Sequence, residues 1–197
     1  MTAESSAAGD LRTLHEGSIE ELTPLLSAGP LVRIFTRADG KPLEASGMVM
    51  VQAPPERVWS CIRDMRSLQR FIQMVESLRM LPPGPQGEEL LRVNLRFKIA
   101  IFSARFHFVA RVERDEGRRV ELTYHSGKVR DLTIRFELAP APQGQTILLC
   151  LVRFDIHSLG WLVNIFVRHH PEIEWGIHAG SAMSIADSVR RMAELET

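Results

Sequence analysis

The chain has 197 residues, 45% hydrophobic and 24% charged, with 24 Lys and Arg against 24 Asp and Glu. That length suits one domain with a short appendage and can bury a sizeable core, and the ordinary apolar fraction excludes wholesale disorder. A net charge of zero argues against nucleic-acid binding, whose affinity rests on a basic surplus.

Residues 1 to about 17 are rich in Ala, Ser and Glu and are expected to be mobile. Ser18 can cap a short helix, with Glu20 and Glu21 in its first turn and Ile19, Leu22, Leu25 and Leu26 as its apolar stripe. Pro24 weakens that helix, which is expected to end at Gly29-Pro30. Residues 1–30 therefore read as an extension and 31–197 as the domain.

Residues 31–36 (LVRIFT) and 46–52 (SGMVMVQ) read as strands, with Asp39-Gly40 as the turn between them. Pro55 and Glu56 then open two short helices, over about 55–64 and 66–74, kinked near Asp64. Beyond residue 75 the apolar period changes to two. Leu91 to Ile99, Phe102 to Val112, Val120 to Tyr124 and Leu132 to Leu138 alternate apolar with polar, as half-buried antiparallel strands do. Thr146 to Ile156 is apolar on both faces, which suits a strand covered on both sides. Turn residues, such as Pro82-Pro83-Gly84-Pro85 and Pro140 to Gly144, fall at the breaks. After an apolar stretch from Trp161 to Val167, one long helix is predicted over about 172–195, opened by Pro171, Glu172 and Glu174. Its expected inward stripe is Trp175, Ala179, Ala182, Ile185, Ala186, Val189 and Met192.

A single helix covers a sheet of this size only if the sheet curls around it. The expected fold is therefore α+β: a curved antiparallel sheet of about seven strands wrapped around the C-terminal helix, with two short helices after the first strand. The segment MVMVQAPPERVWSCIRDMRSLQRFIQMVESLRML resembles the opening of the START-like, helix-grip superfamily, a strand followed by an "apxexVWxxixD" helix. GWLVNIFVRHHP, before the last helix, is similar to the "lPxwlvN" stretch of START lipid-transfer domains. The likeness covers roughly residues 46–196. It implies a cavity between sheet and helix for an apolar ligand such as a lipid, sterol, quinone or polyketide, and one such scaffold hosts many activities.

The residues that would line such a cavity are Phe97, Phe106, Phe108, Tyr124 and Phe136 on the sheet, joined by Trp161, Asn164, Trp175, His178 and Ala182 near and on the last helix. Arg153 and Asp155 share a strand face with Ile147, Leu149 and Leu151. If that face points inward they are a buried pair that orients a ligand head, and if Val152, Phe154 and Ile156 point inward they are solvated. Gly176 and Gly180 lie inside the long helix, where glycine needs a reason: close packing on the sheet, or room for a ligand. His169, His170, Glu172 and His178 suggest a metal, but adjacent histidines diverge, and a solvated helix start explains them better. Cys61 and Cys150 form neither a CxxC pair nor a disulfide framework and read as inert core thiols of a reduced, cytoplasmic chain. No apolar run spans a bilayer and no secretory leader is visible.

The expected function is binding and carriage of a hydrophobic small molecule, without cofactor or metal. A polyketide-type cyclase or dehydratase using Tyr124, His125, Arg153 and Asp155 is the enzymatic alternative. A filled-core interaction domain is the third reading. Arg92, Arg96, Lys98, Arg105 and Arg111 form an outward basic patch, and Trp161 to Phe166 is an apolar stretch beside Arg168. Either is suited to transient contact with a membrane, or to the bland roles of solvated face and core. The sequence carries no signal for oligomeric state.

Overall fold

A computed structural model of the chain describes Leu14, residues 16–99 and residues 102–195, without the side chains of 16–18, 97–99, 102–104 and 162. The expected mobility of the N-terminus therefore falls mostly outside the described residues. The helix expected at Ser18 begins two residues earlier, as α1 (Glu16–Ala28), and runs through Pro24. The hairpin β1 (Leu31–Thr36) and β2 (Pro42–Val51) follows, in antiparallel register with Gly47 opposite Val32. Next come α2 (Pro55–Arg63) and α3 (Met65–Leu68). The second helix is one turn long rather than two, because the Gln69 side chain leaves the helix to bond β3 (Val75–Met80). Its Nε2 donates to the Glu76 carbonyl at 2.8 Å, and its Oε1 accepts from the Leu78 amide at 3.3 Å.

The meander continues through β4 (Glu89–Ile99), β5 (Phe102–Asp115), β6 (Arg119–Gly127), β7 (Thr133–Ala141) and β8 (Gln145–Arg153). These form one open, curved, antiparallel sheet of eight strands in the order β1-β2-β8-β7-β6-β5-β4-β3. The strand beyond the expected seven is β3, short and at the edge. A 3-10 turn over Ile156–Leu159 leads to α4 (Trp161–His169) and then to the long α5 (Glu172–Leu195).

Alternation decides which side chains meet α5. Ala45, Val49 and Val51 of β2, and Leu148, Cys150 and Val152 of β8, face the concave side and join α2 and α5 in the main core. The intervening residues, Met48 and Met50 with Ile147, Leu149 and Leu151, face the convex side, where Leu22 and Leu26 of α1 cover them. That second core is why β8 is apolar on both faces. The concave sheet closes on α5 most tightly at Gly47, where a Cβ would meet the Ala182 carbonyl carbon and oxygen at 3.0 Å.

Two expectations for α5 are corrected. The inward stripe at its N-terminal half is Glu174, His178 and Ser181 with Ala182, all buried, whereas Trp175 is 39% exposed. Neither Gly176 nor Gly180 packs closely or makes room for a ligand: both are exposed, with nothing within 4 Å of an added Cβ. Gly180→Ala is therefore expected to stabilise the fold by about 0.5–1 kcal/mol, read as a higher urea midpoint.

Candidate functional site

The concave face of the sheet, α3 and the middle of α5 form a partly open cavity of about 90 Å³. Its floor is Leu91, Val93 and Leu95 of β4, Phe108 of β5, Leu122 of β6, Ile134 and Phe136 of β7 and Val152 of β8. Met65 and Leu68 of α3, Ile185 of α5, Phe154 and Leu159 complete the walls, and Ile72, Met74, Val75 and Leu78 form the β3 side. The β4 to β7 residues here belong to the apolar halves of alternating segments, and Val152 comes from the doubly apolar β8, so the cavity is largely a product of period-two patterning on a curled sheet. Among the described residues, Ser181 is the one polar residue in the lining. Met74, Val75, Leu78 and Leu159 are only half-buried and make the rim.

Of the residues expected at the site, Phe108 and Phe136 line this cavity. Phe106 is buried in the same core without lining it, and Ala182 is buried against Gly47. The Phe97 side chain lies outside the described residues. Tyr124 points away and is 37% exposed, its hydroxyl donating to the Gly127 carbonyl at 3.0 Å. Arg153 and Asp155 do not pair. Val152, Phe154 and Ile156 take the inward positions. Arg153 instead holds Asp131 at 2.7 Å, and the Asp155 side chain accepts from the His157 amide at 2.9 Å. The apolar stretch of α4 divides by helical phase: Val163 and Val167 are buried, while Trp161 and Ile165 are 73% and 46% exposed.

Asn164 and Trp175 belong to a separate groove outside the apolar cavity, with Lys41, His157, Arg168 and Glu174. There His157 Nδ1 lies 2.8 Å from Asn164 Oδ1. The suspected metal cluster does not converge. His170 Nδ1 sits 3.1 Å from Glu172 Oε1, His178 is buried elsewhere, and no three His, Cys, Asp or Glu among the described residues gather as ligands. The outward basic patch is partly neutralised, since Arg96 and Arg105 share Glu76. Cys61 and Cys150 are buried and form no disulfide, and burial pushes the Cys150 thiol far up, which removes it as a nucleophile. No helix among the described residues is long and apolar enough to cross a membrane.

A model of the family described as polyketide cyclase / dehydrase and lipid transport matches residues 51–172, more than half of the chain. The chain belongs to that family. None of the curated proteins matches it. Among solved structures, this chain is similar to a START superfamily protein from Mycobacterium smegmatis, at 16% identity and TM-score 0.61, covering 79% of this chain and 99% of that one. It is similar to the human StarD13 lipid transfer and protein localization domain, at 14% identity and TM-score 0.54, covering 92% of this chain and 98% of that one. It is also similar to the Zhui aromatase/cyclase from Streptomyces sp. R1128, at 13% identity and TM-score 0.52, covering 84% and 98%. At these identities the likeness shows the helix-grip fold, with a sheet gripping the terminal helix.

His178 lies one turn before Ser181 on α5, against the cavity residue Phe154. Its ring packs 4.7 Å from that of Phe154, and its Nδ1 is buried without a hydrogen-bond partner. Burial, with Arg37 adding, holds the imidazole below the ordinary histidine value. As the pH falls the unfolded chain takes up this proton first. The stability linked to His178 is therefore complete above about pH 6.5 and is lost below it. Urea midpoints are expected to fall between about pH 7 and pH 5, and to fall less in His178→Phe.

The lining residues that pattern-reading passed over are aliphatic ones, above all Leu91, Val93, Leu95 and Leu122, together with Ser181. They carry the same alternation that marks Phe108, and an aliphatic residue in such a pattern does not distinguish a cavity wall from solid core. Ser181 was legible only through helical phase, four residues before Ile185.

Proposed function

We propose that this domain binds and carries a hydrophobic small molecule, lipid-, sterol- or quinone-like, held between the curved sheet and α5. The observation that carries the reading is the cavity lining, which among the described residues is apolar apart from Ser181. Enclosure by such walls supplies affinity through removal of apolar surface from water. At about 90 Å³ the cavity is smaller than the roughly 300–1,000 Å³ usual for small-molecule pockets, so loading requires the rim to part. The β3 edge and the adaptable Met65 and Met74 side chains suit that motion. Trp161 and Ile165, one turn apart on the outer face of α4, with Arg168 beyond them, form the face that would meet a vesicle during loading.

The cyclase reading is the weaker one. Such chemistry needs a proton donor and acceptor at the reacting carbon, whereas no titratable side chain among the described residues lines this cavity. The test is native mass spectrometry with lipid extraction of the purified chain, before and after incubation with lipid vesicles. A bound apolar molecule of defined mass is expected. A chain that carries none and takes none up overturns the reading.

A further inference from the structure

We infer that the ligand is a neutral molecule with a single oxygen function, an alcohol or carbonyl at one end of an apolar body, and that Ser181 is the residue that selects it. The inference rests on the carriage reading and narrows its ligand class.

Ser181 lies on the inward stripe of α5, is 9% exposed and lines the cavity. Its hydroxyl has no hydrogen-bond partner among the described residues. Ser188, two turns along the same helix, shows the ordinary solution: its hydroxyl reaches the Ser184 carbonyl at 2.7 Å and the Phe71 carbonyl at 3.0 Å. The hydroxyl is left open to the cavity, and an alanine here would suit the helix better. The position is therefore explained by a partner that arrives with the ligand. That partner is neutral. No Lys, Arg, His, Asp or Glu lines the cavity among the described residues, so an ionised headgroup would lose its hydration with no counter-charge to replace it. One hydroxyl answers one oxygen, as donor to a carbonyl or as either partner to an alcohol.

The test measures displacement of the neutral fluorescent probe N-phenyl-1-naphthylamine by 1-decanol, decane and ionised decanoate, in the wild-type chain and in Ser181→Ala. The variant is expected to bind 1-decanol about three- to tenfold more weakly and decane unchanged, with decanoate a poor competitor in both. Equal change for alcohol and alkane, no change for either, or decanoate competing as well as 1-decanol overturns the inference and leaves carriage standing. Failure of the wild-type chain to take up the probe, the alkane or the alcohol overturns carriage itself, and the inference with it. A thermal melt of Ser181→Ala, expected to match or exceed the wild type, separates a selective role from a structural one.

Discussion

Phe136→Ala is expected to lower the stability of the fold by about 3–5 kcal/mol, read from urea denaturation. Phe136 is 2% exposed and sits at the centre of β7, facing α5, with Val120 and Cys150 as its cross-strand neighbours. Removing the ring deletes buried surface and adds its volume to a void that already exists. The walls are held by strands on both sides, so they cannot collapse onto the gap, and the cost falls in the upper part of that range. The same change enlarges the binding space. An apolar ligand at about 100 times its dissociation constant should restore about 2.7 kcal/mol, and the midpoint of the variant should recover when such a ligand is added. A small loss of stability would show that Phe136 is not a wall of the cavity.

Gly47→Val is expected to cost about 3 kcal/mol through the opposite fault, overpacking. Valine suits a strand better than glycine, a gain of up to about 1 kcal/mol. The contact outweighs it, because the atoms 3.0 Å from the added Cβ include the backbone carbonyl of Ala182, which no rotamer change can move. Relief requires α5 to lift from β2, which would open the tightest part of the grip. The loss should appear as a lower urea midpoint, and Gly180→Ala in the same helix should move it the other way.

Much of the architecture was written in apolar periodicity. The doubly apolar run from Thr146 to Ile156 implied cover on both sides, and α1 supplies the outer cover with Leu22 and Leu26. The order of elements implied the curl around the last helix. The site was less legible for two physical reasons. Position on a helix decides what faces inward whatever its polarity, so Glu174, His178 and Ser181 are buried while Trp175 and Trp161 are exposed. Polar residues near the end of a strand can also find partners on a neighbouring loop, as Arg153 does with Asp131, and that pairing is invisible in the local sequence.

The outer cover by α1 has a mechanical consequence. Where β2 and β8 meet, apolar layers clamp the sheet from both sides, and nearly every residue of β8 is buried. At the far edge, β3 has one neighbouring strand, and none of its residues is fully buried. Local opening concentrates where buried contacts are few. The grip is therefore built like a hand with a splinted palm and one free finger: in the proposed carriage, guest molecules would be admitted by yielding at β3, while the junction of the first hairpin with the last strand keeps its shape.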